Sequence, residues 1–327
     1  MTIRSPFSPQ PDTAYNPGHF SWFFPALYFL VCVAVLEATG LFSDLYVSEH
    51  RLQRDINAAI GLPLLTAYFW LTVRLINKQL ASTILGVLLK KNTLAQFARH
   101  RRYLAGRFRQ HIIQCAVISL SLTTLYIVSE DLLAAGQPLH VFVLDIVAYP
   151  YWFFFWLFLY QSVSGTRYVT RRLIGGRPDN LKDIDDLKVV ADFGLTNCSY
   201  AMVGVSLLPV FWMNTTVPPI DLLILSLFLG ILFTYLFIPV VKVHRLIKHM
   251  KQRHLSRIDT QISACLREGK DKGKTLEAIE LLESEREIIE SVSVWPVRPE
   301  QVKRLAGTTA LVPTSWLILW AVETMTF

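Results

Sequence analysis

Seven apolar runs shape this chain: residues 20–43, 56–76, 112–129, 141–163, 195–213, 221–241 and 305–323. Each is close to the ~20 residues that an α-helix needs to cross a bilayer. A single water-soluble core in a chain of 327 residues cannot bury seven such runs. In lipid every backbone N–H and C=O must find a partner within the protein, which a helix supplies from its own segment. The sequence therefore predicts an all-α, polytopic membrane protein with seven transmembrane helices. Only 17% of its residues are charged, against about a quarter in soluble domains, and the mean hydropathy is +0.38. The first run does not read as a secretory signal. Proline-rich, mostly polar residues precede it and no A-x-A site follows it, so residues 1–18 are expected to be a flexible cytosolic arm.

Orientation follows from lysine and arginine. Thirty of the 32 basic residues fall before the first run or in the segments 74–111, 164–194 and 242–304. The alternate connections hold only Arg51 and Arg54. Because basic loops stay in the cytosol, this alternation predicts a cytosolic N-terminus and an outside C-terminus.

The densest basic stretch is QFARHRRYLAGRFRQH, residues 96–111, which carries Arg99, Arg101, Arg102, Arg107 and Arg109 among three aromatics. Anionic lipid headgroups are one expected partner, at about 1 kcal/mol per near-surface basic side chain, with Phe97, Tyr103 and Phe108 as interfacial anchors. A cytosolic nucleotide or nucleic-acid site is the other, since alternating basic and aromatic residues can pair phosphates and stack bases.

Segment 242–304 is the one large polar stretch, and it divides the chain into an arm (1–18), a six-helix membrane domain (19–241), a cytosolic extension and a last helix (305–327). Val243, Leu246, Ile247, Met250, Leu255, Ile258, Ile262 and Leu266 keep helical spacing past the sixth run, toward a cap at Gly269. A second helix over 275–291 is acidic, with Leu276, Ile279, Leu282 and Ile289 apolar. The pair suggests an antiparallel hairpin or a multi-chain stalk. Lys248, Lys251 and Arg253 give the first of these helices a basic surface. Trp295 is placed at interface depth, Pro296 as a helix breaker and Pro299 in the first turn of the last helix.

No catalytic constellation is visible. HExxH, P-loop, GxGxxG and GxSxG are absent, and the four cysteines are too scattered for a disulfide framework or a zinc site. No cofactor or metal is expected. His140 and Asp145 have the H-x4-D spacing of glycerophosphate-type acyltransferases, but Leu139 replaces the usual Asn and the pair falls on the outer side. Asp183, Asp185 and Asp186 lack the glycine of a calcium loop, and DFG at 192–194 stands without other kinase elements.

Two acids lie inside apolar runs, Glu37 in the first and Asp145 in the fourth. Carboxylates at such depth normally face protein or water. They either form an outer site or pair with Arg51 and Arg54. Prolines interrupt six runs, and Pro313 is a possible gating kink. In the last helix Thr308, Val312, Ser315 and Leu319 share one face, with Thr309 adjacent. That face suits a pore lining or a small-residue packing seam.

Seven spans, a basic extension of the sixth, a cytosolic hairpin and a terminal helix resemble the ion channels of the insect odorant and gustatory receptor type. The resemblance implies four subunits joined through cytosolic extensions, with the seventh helix of each lining a cation-conducting pore. That family's terminal signature, Thr-Tyr, five apolar residues, then Gln-Phe, falls loosely on Thr314, Ser315 and 316–320, with Ala321 and Val322 in the last two places. The expected function is a homotetrameric channel of a bacterial inner membrane, gated by a cytosolic ligand or protein partner; a nucleotide or nucleic acid as that ligand would make it a defence effector. A proton-coupled transporter using Glu37 and Asp145 is the second expectation. A sensor or scaffold docking a soluble partner through 242–304 is the third.

Overall fold

The computed structural model describes residues 22–41, 50–90, 93–129, 131–132, 138–173, 183–268 and 272–326. The N-terminal arm and the Gly269 cap lie outside them. Eight α-helices fill most of the described residues: α1 Phe23–Ala38, α2 His50–Lys90, α3 Phe97–Ser129, α4 Leu139–Tyr168, α5 Asp183–Ser206, α6 Pro219–Glu268, α7 Lys272–Ser291 and α8 Pro299–Thr326. Among the described residues no strand is present. The chain is an all-helical membrane protein. Among the described residues five segments, Leu52–Leu89, Leu94–Ser129, Leu139–Arg171, Leu187–Trp212 and Pro299–Val322, are long and apolar enough to cross a membrane, whereas α1 and the start of α6, Pro219–Thr234, are shorter apolar pieces.

Several helices outrun the apolar runs that nucleate them. At 1.5 Å per residue α2 is about 60 Å long and α6 about 75 Å, against a hydrocarbon core of about 30 Å. Their extensions stay helical because they are rich in Leu, Lys, Gln, Arg and Ala, all good helix formers. The connector expected over 164–194 shrinks for the same reason. The α4 helix runs through a π-turn to Leu173, and α5 already starts at Asp183.

A stripe on α2 forms the spine of the core. Leu65, Phe69, Val73, Ile76, Leu80, Ile84 and Val87 recur every three or four residues and are all buried. They meet Phe158 of α4, Val190 and Phe193 of α5, and Val243, Ile247 and Met250 of α6. Phe69 stacks on Phe158 at 5.2 Å and Trp70 on Phe154 at 5.0 Å. Because α6 contributes Val243, Ile247 and Met250, one hydrophobic core crosses the boundary expected at residue 242. The DFG triplet also has a structural reason here. Phe193 is fully buried, and Asp192 accepts a hydrogen bond from Gln301 at 2.6 Å, which ties α5 to the first turn of α8.

Glycines set two of the closest approaches. A Cβ on Gly165 of α4 would lie 3.1 Å from the Phe193 ring, and one on Gly61 of α2 would lie 2.8 Å from the ring of Phe211. Polar links between helices add to the packing. Ser119 of α3 donates to the Tyr149 carbonyl at 2.7 Å, and Asn197 of α5 donates to Thr166 of α4 at 3.2 Å.

The α6–α7 pair is an antiparallel hairpin. Lys251 donates to the carbonyls of Glu290 and Val292 at 2.6 and 3.0 Å, and Arg286 reaches Asp259 at 3.6 Å. Arg286 also donates to Glu290, and this bond, more than the charge of Asp259, raises the guanidinium pKa. Ile258 and Ile289 are buried in the hairpin, and His244 lies against Trp295 at 4.4 Å. Pro296 follows α7 and Pro299 opens α8, where a residue without an N–H leaves no hydrogen bond unmade.

Candidate functional site

At the end of the bundle opposite the arginine-rich turns of α3, the end of α1 and the starts of α2 and α4 converge. Leu36 and Leu41, Ile56 and Ala59, and Leu144 form a second, smaller apolar cluster there. Asp145 is the neighbour of Leu144 on α4, about 9 Å along the helix from its first residue. It is 9% exposed, and its Oδ2 is buried without a hydrogen-bond donor from the protein. A buried polar atom left this way is uncommon and expensive.

Two ionisable neighbours matter at this end: Asp55, which sequence reasoning did not single out, and His140, which it paired with Asp145 by spacing alone. Asp55, in the second turn of α2, is close enough to act on Asp145 electrostatically. His140, in the first turn of α4, places Nε2 at 3.4 Å from Asp55 Oδ2, with side-chain exposures of 15% and 24%. So His140 turns to Asp55 of a neighbouring helix, and the H-x4-D spacing does not bring His140 and Asp145 together as a pair. The available signal was positional: each of these residues flanks an apolar run at the same end. Glu37, by contrast, is exposed at the last turn of α1. The two acids expected to form one site therefore separate into one buried and one exposed carboxylate.

This end is held by amides. Asn57 is fully buried, and its Nδ2 donates to the carbonyls of Phe211 and Met213 at 3.2 and 2.7 Å. Gln53 donates to Asn57 Oδ1 at 3.0 Å and to the Met213 carbonyl at 3.2 Å. Asn57→Ala strips both carbonyls of this donor. With a penalty of about 1–3 kcal/mol per unsatisfied group, the variant is expected to melt several degrees lower in detergent, as followed by circular dichroism. An unchanged melting temperature would show that water or Gln53 replaces the amide at no cost.

The face of α8 carrying Thr308, Val312, Ser315 and Leu319 turns inward within the subunit, as the packing-seam alternative requires. These four are half-buried or buried, in line with Leu305 and Trp316, whereas Thr309 and Pro313 are exposed. The helix packs chiefly on α5, and Trp316 stacks on Trp212 at 5.9 Å. Thr308 and Ser315 donate to carbonyls of their own helix, Ser315 to Val312 at 2.7 Å. The expected lining is therefore the packing seam, because short side chains let α8 approach α5 closely. The helix continues through Pro313.

The basic surfaces divide in the same manner. Arg99, Arg101, Arg102, Arg107 and Arg109 are exposed on α3. The aromatics between them are not free anchors: Phe97 and Phe108 pack on the main core, and Tyr103 stacks on Tyr168 at 5.4 Å. On α6, Lys248 and Arg253 are exposed, whereas Lys251 serves the carbonyl end of α7 and is removed from the ligand surface expected there. Among the described residues no group of three or more His, Cys, Asp or Glu side chains could hold a metal ion. Compared with family models, with curated proteins and with solved structures, the chain matches none, so the reading of these surfaces rests on their own geometry.

Proposed function

We propose that the chain is one subunit of a homo-oligomeric, tetrameric ion channel in which the open face of α8 lines the conduction path. One observation carries this reading. Ala306, Gly307, Thr309, Ala310, Pro313 and Thr314 are all exposed on α8, where a lipid-facing helix would present long apolar side chains. Leu317, Ile318 and Trp320 supply those further along the same helix. Small and hydroxyl-bearing residues on an uncovered membrane helix suit close contact with another helix or with water. The α6–α7 hairpin would join the subunits. Its Leu281 and Ile288, one heptad apart on α7, lie outside the apolar spans and are 70% and 66% exposed. In this arrangement the basic ends face the cytosol, and the exposed arginines of α3 meet headgroups or a gating anion.

Single-channel recording in planar bilayers tests the proposal. In conducting protein, Thr309→Cys is expected to be blocked by a water-soluble, charged thiol reagent, and Ser315→Cys, on the seam with α5, to be spared. Absence of conductance, or the reverse pattern of block, would reject α8 as the lining.

A further inference from the structure

We infer that α6 binds an anionic phospholipid where its apolar stretch ends, with Lys242 and Arg245 holding the phosphate and an acyl chain lying along Phe233, Phe237, Ile238 and Val241. The inference goes beyond the channel reading and does not depend on assembly or on α8.

The length of the apolar stretch sets the depth of the site. Residues 222–241 of α6 contain no charged side chain, and a helix of that length rises about 30 Å, the thickness of the hydrocarbon core. Asp221 marks one end of the stretch, and Lys242 is the first charge at the other. Lys242 and Arg245 therefore come at headgroup depth, one turn apart with Cβ atoms about 5–6 Å from each other. Val240, Val243 and Ile247 turn the other side of these turns into the core. Lys242 and Arg245 are exposed and line one shallow groove with the apolar residues below them. The Phe233 and Phe237 rings stack at 5.6 Å along it, and Phe237 is held against the main core.

The occupant follows from charge complementarity. None of the described residues lining the groove is acidic, and among the described residues neither Lys242 nor Arg245 pairs with a carboxylate. The neighbouring turns keep the same sign: residues 243–258 contain no acid, and Lys248 is exposed one turn further on. A guanidinium donates two parallel N–H bonds to the free oxygens of a phosphodiester, and an ammonium adds a point charge. A soluble anion would match the two cations and leave the apolar part of the groove without an occupant. A zwitterionic lipid would fill that part and leave the cations opposed by its own positive group. An anionic phospholipid meets both requirements, in the manner of basic residues that hold lipid headgroups at a membrane surface.

Native mass spectrometry of the full chain, released from detergent after addition of phosphatidylglycerol, phosphatidylcholine or glycerol phosphate, tests the site. The protein should retain phosphatidylglycerol in preference to the other two. Lys242→Gln combined with Arg245→Gln should weaken that retention about thirtyfold, whereas Arg101→Gln combined with Arg102→Gln on α3 should leave it unchanged. A phosphatidylglycerol with a photoreactive acyl chain should label α6 within 233–241, and Ile238→Trp, which fills the groove, should reduce both labelling and retention. Circular dichroism checks that the variants fold. If the double α6 variant does not, the photolabel and Ile238→Trp decide alone. Equal retention of phosphatidylcholine overturns the headgroup site, and displacement by an equal concentration of glycerol phosphate makes it a site for a free anion instead. Equal losses in the α3 and α6 variants describe a diffuse basic surface and also overturn it. Labelling confined to other helices rejects the groove, as it would if a second subunit covered this face.

Discussion

Phe193→Ala is expected to lower the stability of the bundle by about 3–5 kcal/mol, the range for emptying a fully packed aromatic site. The ring lies in the main core at the crossing of α4 and α5, against the Gly165 backbone and the α2 stripe. Gly165 has no side chain with which to fill the space, and the stripe residues are already in close contact. Collapse into the void is therefore limited, and the loss should sit toward the upper end. Thermal unfolding in detergent, followed by circular dichroism, measures it. Phe193→Leu should keep most of the stability, since a volume-conserving apolar swap costs below about 1.5 kcal/mol. Equal losses in the two variants would mean that the ring's shape, and not its volume, holds the helices apart.

On the proposed assembly through the α6–α7 hairpin, Leu281→Ser combined with Ile288→Ser should yield monomers in place of oligomers while leaving each chain folded. The two side chains touch little of their own subunit, so helix content and melting temperature of the monomer should hardly move. Burying a Leu or Ile contributes about 1.5–3 kcal/mol. The double change therefore removes about 3–6 kcal/mol from each contact, or two to four orders of magnitude in dissociation constant. Light scattering on size-separated protein in detergent distinguishes the states. An unchanged assembly would move the subunit contact from the hairpin to α8. Ile289, the next residue along, is the contrasting position: it is buried within the hairpin, and its replacement should unfold α7 from α6 instead.

These two residues also show where sequence reading succeeds. Periodicity places Val243, Ile247, Met250, Ile258 and Ile289 on inward faces, and they are buried. It also assigns Leu276 to the same set, yet Leu276 is 63% exposed. The face of α8 is a similar case. Spacing correctly groups Thr308, Val312, Ser315 and Leu319, but spacing is symmetric between a helix face that meets water and one that meets α5. Lys251 differs again. Its charge suggests a ligand, and only the return of α7 brings the Glu290 and Val292 carbonyls to its ammonium.

What the amino-acid order determined by itself is the helical, membrane-embedded class, the continuation of α6 past its apolar run, the break at Pro296 and the start of α8 at Pro299. Each depends on neighbours a few residues away, through hydrophobic length, helical period and the missing N–H of proline. The tertiary structure decided which acid is buried, which side of α8 is covered and which partner His140 meets. Those outcomes depend on contacts between Asp55 and His140, 85 positions apart in the chain, or between Asn57 and Met213. Local pattern cannot encode them, because helices of equal hydrophobicity can pack in any rotation until their glycines, amides and charges choose one.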